Sequence, residues 1–102
     1  MKFELTILGC GGAIPTLDKN PTSQYLNIQD RHFLIDCGEG SQIQLRKYKC
    51  KFSKIDHIFI SHLHGDHFLG LFGYLSTLSL LGRTSIMNIY APKDLIVLID
   101  AH

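Results

Sequence analysis

Long apolar runs, paired cysteines and a one-sided charge are all missing from this sequence. No stretch approaches the about 18 consecutive apolar residues of a membrane-spanning helix, and Met1-Lys2-Phe3-Glu4 interrupts any apolar run at the N-terminus with charge, so neither an export signal nor an anchor is expected. The three cysteines, Cys10, Cys37 and Cys50, are odd in number and form no C-x-x-C pair. That argues against a disulfide framework and suits reduced thiols in a cytoplasmic setting. A net charge of +1 indicates neither a coat for nucleic acid nor an acidic disordered chain. No repeat, linker or low-complexity tract is visible, and 102 residues with 45% hydrophobic content allow one domain with a modest core.

Within those bounds, the patterning alternates between strand and helix. Phe3, Leu5 and Ile7 alternate with Glu4 and Thr6, a period of two that predicts a strand ending at Leu8, before Gly9-Cys10-Gly11-Gly12. Pro15, Asp18, Asn20 and Pro21 mark the next stretch as loop. Residues 24–29 and 32–36 read as a hairpin. Residues 38–51 read as a helix with Ile43, Leu45 and Tyr48 inward. Asp56 to Ile60 is a short strand leading directly into a histidine-rich segment. Phe68, Leu71, Phe72, Leu75 and Leu78 then recur at helical spacing, with Gly82 as the stop signal and with Gly70 and Gly73 each weakening the helix by up to about 1 kcal/mol. Residues 86–90 are a strand. The apolar run Leu95 to Ile99 suits a strand or a buried helix, and Pro92 at its start favours the helix. The order β-β-β-α-β-α-β-α belongs to the α/β class, with the sheet covered by helices on one side and its other half expected elsewhere.

The sharpest chemical signal is Ser61-His62-Leu63-His64-Gly65-Asp66-His67. Imidazole and carboxylate are strong zinc ligands, and four of them fall within six positions at a strand's end. Accident would place this pattern in a chain of about 100 residues with a probability on the order of 10⁻⁴. In an extended loop His62 and His64 project to one side and reach one ion; a sharp turn at Gly65 then sends Asp66 and His67 to a second. Two divalent ions about 3.5–4 Å apart serve hydrolysis at phosphorus or at an acyl carbon equally well, so the pattern specifies metal far better than substrate.

Three blocks in order carry a resemblance. Leu8-Gly9-Cys10-Gly11-Gly12-Ala13-Ile14-Pro15, Phe33-Leu34-Ile35-Asp36-Cys37-Gly38-Glu39-Gly40-Ser41-Gln42, and Ile58 through His67 into Leu69-Gly70-Leu71-Phe72-Gly73 together resemble the metallo-β-lactamase superfamily and, within it, the ribonuclease Z family, along the whole chain. The resemblance implies that residues 1–102 are the N-terminal half of an αββα sandwich. It implies a zinc-dependent endoribonuclease that removes 3′ trailers from tRNA precursors, cytoplasmic and homodimeric, with two Zn2+ ions per complete site. By the same resemblance His62 and His64 bind one ion and Asp66 and His67 the other, Asp66 also accepts a proton in catalysis, and Asp36 braces the loop from the neighbouring strand end. Lys19-Asn20-Pro21 stands where the family commonly has Arg-Asn, which keeps the charge and loses the bidentate fork. Three further ligands and the tRNA-gripping arm are expected beyond residue 102, so the chain alone is expected to bind metal weakly and to turn over little.

Other readings fare worse on detail. Gly9-x-Gly11-Gly12 invites a dinucleotide site, but Ile14 occupies the third glycine position and Pro15 and Pro21 oppose the required helix. Arg46, Lys47, Lys49, Lys51 and Lys54 read as a solvated helix end that suits the C-terminal dipole more than as a phosphate-binding strip. The tyrosines, at positions 25, 48, 74 and 90, read as core or rim. Asp36, already assigned to bracing, and His32, His57, Cys37 and His102 are weak candidates to replace the missing ligands. Beside the ribonuclease reading stand another hydrolase on the same fold, such as an arylsulfatase-like enzyme or a cyclic-nucleotide phosphodiesterase, and a non-catalytic truncated remnant.

Overall fold

The computed structural model describes residues 3–10, 21–61 and 65–100. Strands β1 (Phe3–Gly9), β2 (Ser23–Ile28) and β3 (Arg31–Cys37) form an antiparallel meander. Gln29 and Asp30 close the β2–β3 hairpin with positive φ (50° and 66°), the two-residue turn whose twist matches that of the strands. The Asn27 side-chain oxygen accepts the Asp30 N–H at 3.0 Å and ties that turn down.

Helix α1 (Ser41–Lys47) and a 3₁₀ turn (Phe52–Lys54) lead to β4 (Ile55–Phe59), which lies parallel to β3. Helices α2 (Gly65–Phe68) and α3 (Leu71–Leu80) lead to β5 (Asn88–Tyr90), parallel to β4, and α4 (Lys93–Asp100) follows. Parallel neighbours need a crossover between them, which the helices supply. The five strands lie in chain order, β1-β2-β3-β4-β5.

One sheet face is covered. Leu34 and Ile58 from the central strands meet Leu45 of α1, Leu71, Tyr74 and Leu78 of α3 and Leu95 of α4 in a single buried cluster. The other face is open, with Phe3, Leu5 and Ile7 of β1 all exposed. The layered α/β order is therefore as the alternation predicts, and the apolar run after Pro92 is helix: the Pro92 carbonyl accepts the N–H groups of Leu95 and Ile96.

Three local expectations are corrected. In α1 only Leu45 of the expected trio is buried; Ile43 and Tyr48 are exposed, and Ser41 and Gln44 take the inward positions because Gln44 Nε2 donates to the Leu8 carbonyl at 3.0 Å. The helix is also shorter than residues 38–51, since Gly40 (φ 84°) and Lys49 (φ 57°) bound it in left-handed conformations. The helix predicted from Phe68 onward is interrupted at Leu69-Gly70, separating α2 from α3. Gly82 does end α3, with φ 84°, and the Arg83 N–H reaches back to the Leu78 carbonyl at 3.0 Å.

Candidate metal centre

Because β3 and β4 are parallel neighbours, their C-terminal ends come to the same sheet edge, where open α/β sheets place their sites. Asp36 sits there in a left-handed conformation (φ 59°), which Asp tolerates better than most residues. The pairing slips at that point, from Gln24↔Ile35 to Ser23↔Cys37. Asp36 is thus the extra residue of a bulge, a device that re-aims a side chain.

What it is aimed at is the loop. The Asp36 carboxylate accepts the Ser61 backbone N–H at 2.8 Å, and the Ser61 hydroxyl lies 3.0 Å from each of its oxygens. Its Oδ2 is 2.9 Å from His67 Nδ1, and Ser61 Oγ is 3.2 Å from that same nitrogen. Asp36 is nearly buried while His67 stays partly accessible. A carboxylate on Nδ1 places the ring proton there in a neutral imidazole, making Nε2 the lone-pair nitrogen and orienting it, as in metal-ligating histidines generally.

Helix α2 is held over the end of β3 by backbone contact. The Gly70 N–H donates to the Cys37 carbonyl at 2.8 Å, and a Cβ on Gly70 would stand 2.1 Å from the Gly38 carbonyl oxygen. Only glycine permits that approach. Ser41 Oγ donates to the same Gly38 carbonyl at 2.6 Å, so the loop after β3 is pinned from both sides.

Of the residues expected to form the site, the structure brings Asp36 and His67 into contact. His62 and His64 lie outside the described residues, and so does the side chain of Asp66, whose backbone belongs to α2. Among the described residues, no three ligand-type side chains gather around one point. The extended stretch expected at His62 and His64 lies outside the described residues; after it, where a sharp turn at Gly65 was expected, Gly65–Phe68 is a helical turn. The donor set nonetheless fits zinc, since a His ring oriented by a carboxylate is the support such an ion requires.

The other proposed substitutes are placed elsewhere. Cys37 is fully buried, and burial pushes its thiol up to about 12, with the Asp36 charge adding to the rise and a hydrogen bond from Ser41 opposing it. It stays a neutral core thiol. His32 is buried at the far end of β3, its Nδ1 bonded to the Tyr25 hydroxyl and its Nε2 2.9 Å from Asp30 Oδ1. That bond, reinforced by Lys54, holds the Asp30 carboxyl below its ordinary range. His57 stacks between Phe33 and Tyr90 on the open sheet face. His102 lies outside the described residues. Tyr25 and Tyr74 are core, as expected, and Tyr48 and Tyr90 are half exposed.

Ser61 is the residue whose role the sequence left unread. Its signal was its place: a hydroxyl at the strand end immediately before the first histidine.

Comparison with known proteins extends this picture. The chain matches the family model described as "Anti-Pycsar protein Apyc1" over residues 3–100. It is 61% identical over 94 residues to "Ribonuclease Z" of Bacteroides fragilis, an alignment covering 92% of this chain and 31% of that relative. The chain thus spans about a third of the length of such curated relatives. Human tRNase Z, short form, superimposes with a TM-score of 0.87 at 42% identity, over 95% of this chain and 37% of that one. The metallo-β-lactamase fold protein YhfI of Bacillus subtilis superimposes with a TM-score of 0.80 at 24% identity, over 97% of this chain and 42% of that one, a likeness of fold alone.

Proposed function

We propose, from the premise that this chain belongs to the family described as anti-Pycsar protein Apyc1 and carries the N-terminal part of the metallo-β-lactamase fold, that residues 1–102 supply half the site of a zinc-dependent tRNA 3′ endoribonuclease. The observation that supports it is the Asp36–His67–Ser61 contact at the joined ends of β3 and β4. A surface histidine has no need of a bulged, nearly buried carboxylate aimed at one of its ring nitrogens.

In this reading His62 and His64 would hold one zinc ion and Asp66 and His67 a second, and the pair would supply the positive charge that lowers the pKa of a water and draws electrons from the attacked phosphate. The chain's own residues do the rest. Asp66 would accept the proton of the attacking water. Asp36 keeps His67 in one tautomer and one orientation, and Ser61 keeps Asp36 in place by donating its N–H and hydroxyl. The remaining ligands and the tRNA-binding arm belong to the further length that the relatives have. The proposed protein is a cytoplasmic homodimer acting on tRNA precursors away from membranes; among the described residues no helix is long and apolar enough to cross one.

Because the His/Asp pattern specifies metal far better than substrate, a second reading is another hydrolase on the same fold, such as a cyclic-nucleotide phosphodiesterase or an arylsulfatase-like enzyme. A panel of 3′-extended tRNA, cyclic nucleotides and bis(p-nitrophenyl) phosphate, presented with zinc to the longest reading frame containing this sequence, decides between them. Trimming of the tRNA supports the first reading; cleavage of the small esters alone replaces it with the second. Elemental analysis of the same protein should find about two zinc ions per chain, and a value near zero indicates a remnant without turnover.

A further inference from the structure

Five of the chain's ten lysines and arginines fall between positions 46 and 54: Arg46, Lys47, Lys49, Lys51 and Lys54. All five are exposed, no carboxylate stands between residues 40 and 55, and none of the five forms an ion pair among the described residues. Arg83 shows the contrast: its guanidinium is bound to Asp56 at 2.7 Å and to the carbonyls of Ser53, Ile55 and Ile86. The C-terminal dipole of α1 accounts for Arg46 and Lys47, since it fades within the last turn. It does not account for Lys51 and Lys54. Nor does it account for Lys49, which follows α1 at φ 57° in a Schellman turn, with the Cys50 N–H on the Leu45 carbonyl at 2.9 Å, where glycine is the usual residue.

Beside these cations lies a cleft of about 210 Å³ between β1, β2 and the chain that follows α1. Tyr48, Lys49 and Lys51 line it together with the buried Tyr25 and Asn27, and Glu4 is its one carboxylate among the described residues. It is smaller than the about 300 Å³ at which pockets for whole small molecules begin, and it suits one flat ring. The rings at this end of α1 carry cations: Arg46 lies over Phe52 at 5.0 Å and Lys47 over Tyr48 at 5.6 Å, with Tyr48 half exposed. Rings and cations along one groove are what an unpaired nucleic-acid strand binds, bases on the rings and phosphates on the cations. A duplex asks only for the charge.

We propose that this strip holds the single-stranded 3′ trailer of a tRNA precursor, with a base in the cleft against Tyr48 and phosphates on Lys47, Lys49 and Lys51, a placement that rests on the endoribonuclease reading. The sheet sets the distance. Asp36 and Ser61 stand at one end of β3 and β4, while Lys54 stands at the other, immediately before Ile55. The six steps from Ile55 to Ser61 span roughly 20 Å at about 3.3 Å each, which about six stacked nucleotides cover at about 3.4 Å each. A shorter trailer stops before the strip; a longer one reaches it. The remainder of the fold leaves this surface outermost, because in a layered sandwich the second sheet packs on the open sheet face and the helices stay outside.

Steady-state trimming by the longest reading frame containing this sequence, on tRNA precursors with trailers shorter and longer than about six nucleotides, tests the placement. Wild type is expected to show a KM at least about fivefold lower for the long trailer, the low end of what one base stacked on a ring contributes, with the same kcat for both. Lys49→Gly with Lys51→Gln removes two charges and gives position 49 the residue its backbone favours. Tyr48→Ser removes the ring. Either change is expected to abolish the advantage of the long trailer and to leave kcat and the KM of the short one where they were. Lys93→Gln, exposed on α4, is expected to alter neither.

A second measurement needs no turnover. Fluorescence anisotropy of a labelled single-stranded RNA with the 102-residue chain is expected to show binding that weakens with salt. The slope of log affinity against log salt should fall in magnitude by about 1.4 when the two lysines are replaced, at about 0.7 per phosphate contact of a single strand. Equal KM for the two trailers in wild type, a trailer effect that survives both changes or is lost with Lys93→Gln, or an unchanged salt slope overturns the proposal. So does a change of mass in light scattering on replacing the lysines, which would make the strip a contact between protein chains. If wild type trims no precursor, the endoribonuclease reading falls and the trailer with it; trimming that ignores trailer length removes the strip alone.

Discussion

Asp36 carries more of the site than any other described residue, and it does so by geometry as much as by charge. Asn keeps its size and its tolerance of the left-handed backbone while removing the carboxylate, so Asp36→Asn separates the two contributions. Zinc affinity measured by calorimetry should fall by about 10- to 100-fold, the usual effect of losing a carboxylate behind a metal-binding histidine; an unchanged affinity would sink the bracing role. Its neighbour Cys37 makes a different prediction. With the folded thiol raised to about 12 from an ordinary 9.0, the unfolded chain ionises first, so the stability due to this group is intact below pH 9 and declines as pH climbs toward 12. Denaturant titrations across that window should show a falling midpoint, and Cys37→Ala, though less stable throughout, should show a flatter decline. Below that window a thiol reagent should modify exposed Cys10 readily and leave Cys37 untouched until the chain unfolds.

At the scale of elements, the decisive contact is that of the α2–α3 junction with the loop after β3. Gly70→Ala would drive a methyl into backbone at Gly38, and no rotamer relieves it. A loss of about 2–3 kcal/mol, at the upper part of the range for overpacking, is expected in urea unfolding. Gly73→Ala is the control. Its Cβ would meet only the flexible end of Gln42 at 3.3 Å on an exposed helix position, so a change within about 1 kcal/mol is expected. A gain at Gly70 like the one helix propensity gives in an exposed helix interior would mean that the close approach does not govern this junction.

For the molecule as a whole, the buried hydrophobic core is built from strands and helices around the sheet, and folding of this chain is expected not to depend on metal. Saturating chelator should leave thermal unfolding of the chain where it was. Micromolar zinc, at or below the dissociation constant of a weak site, should stabilise by at most about 0.4 kcal/mol, roughly 2–3 °C for a domain of this size. A rise of tens of degrees would show a complete, tight site within these residues and would contradict the expectation of weak binding.

The amino-acid order was enough to read the strand–helix alternation, the hairpin of β2 and β3 and the stop at Gly82, because each is local: a period of two or of 3.6, or a turn residue. It also showed a histidine cluster at a strand end. What it did not show was long-range. Ser61 and Asp36 are 25 residues apart and meet only because β3 and β4 pair in parallel. Gly70 breaks a helix whose local pattern is continuous because Gly38 lies beneath it, and Gln44 displaces Ile43 and Tyr48 from the interior because the Leu8 carbonyl needs a donor. Local propensity is written residue by residue; the close approach of two backbones, and the demand of a buried carbonyl, exist only once the chain has folded.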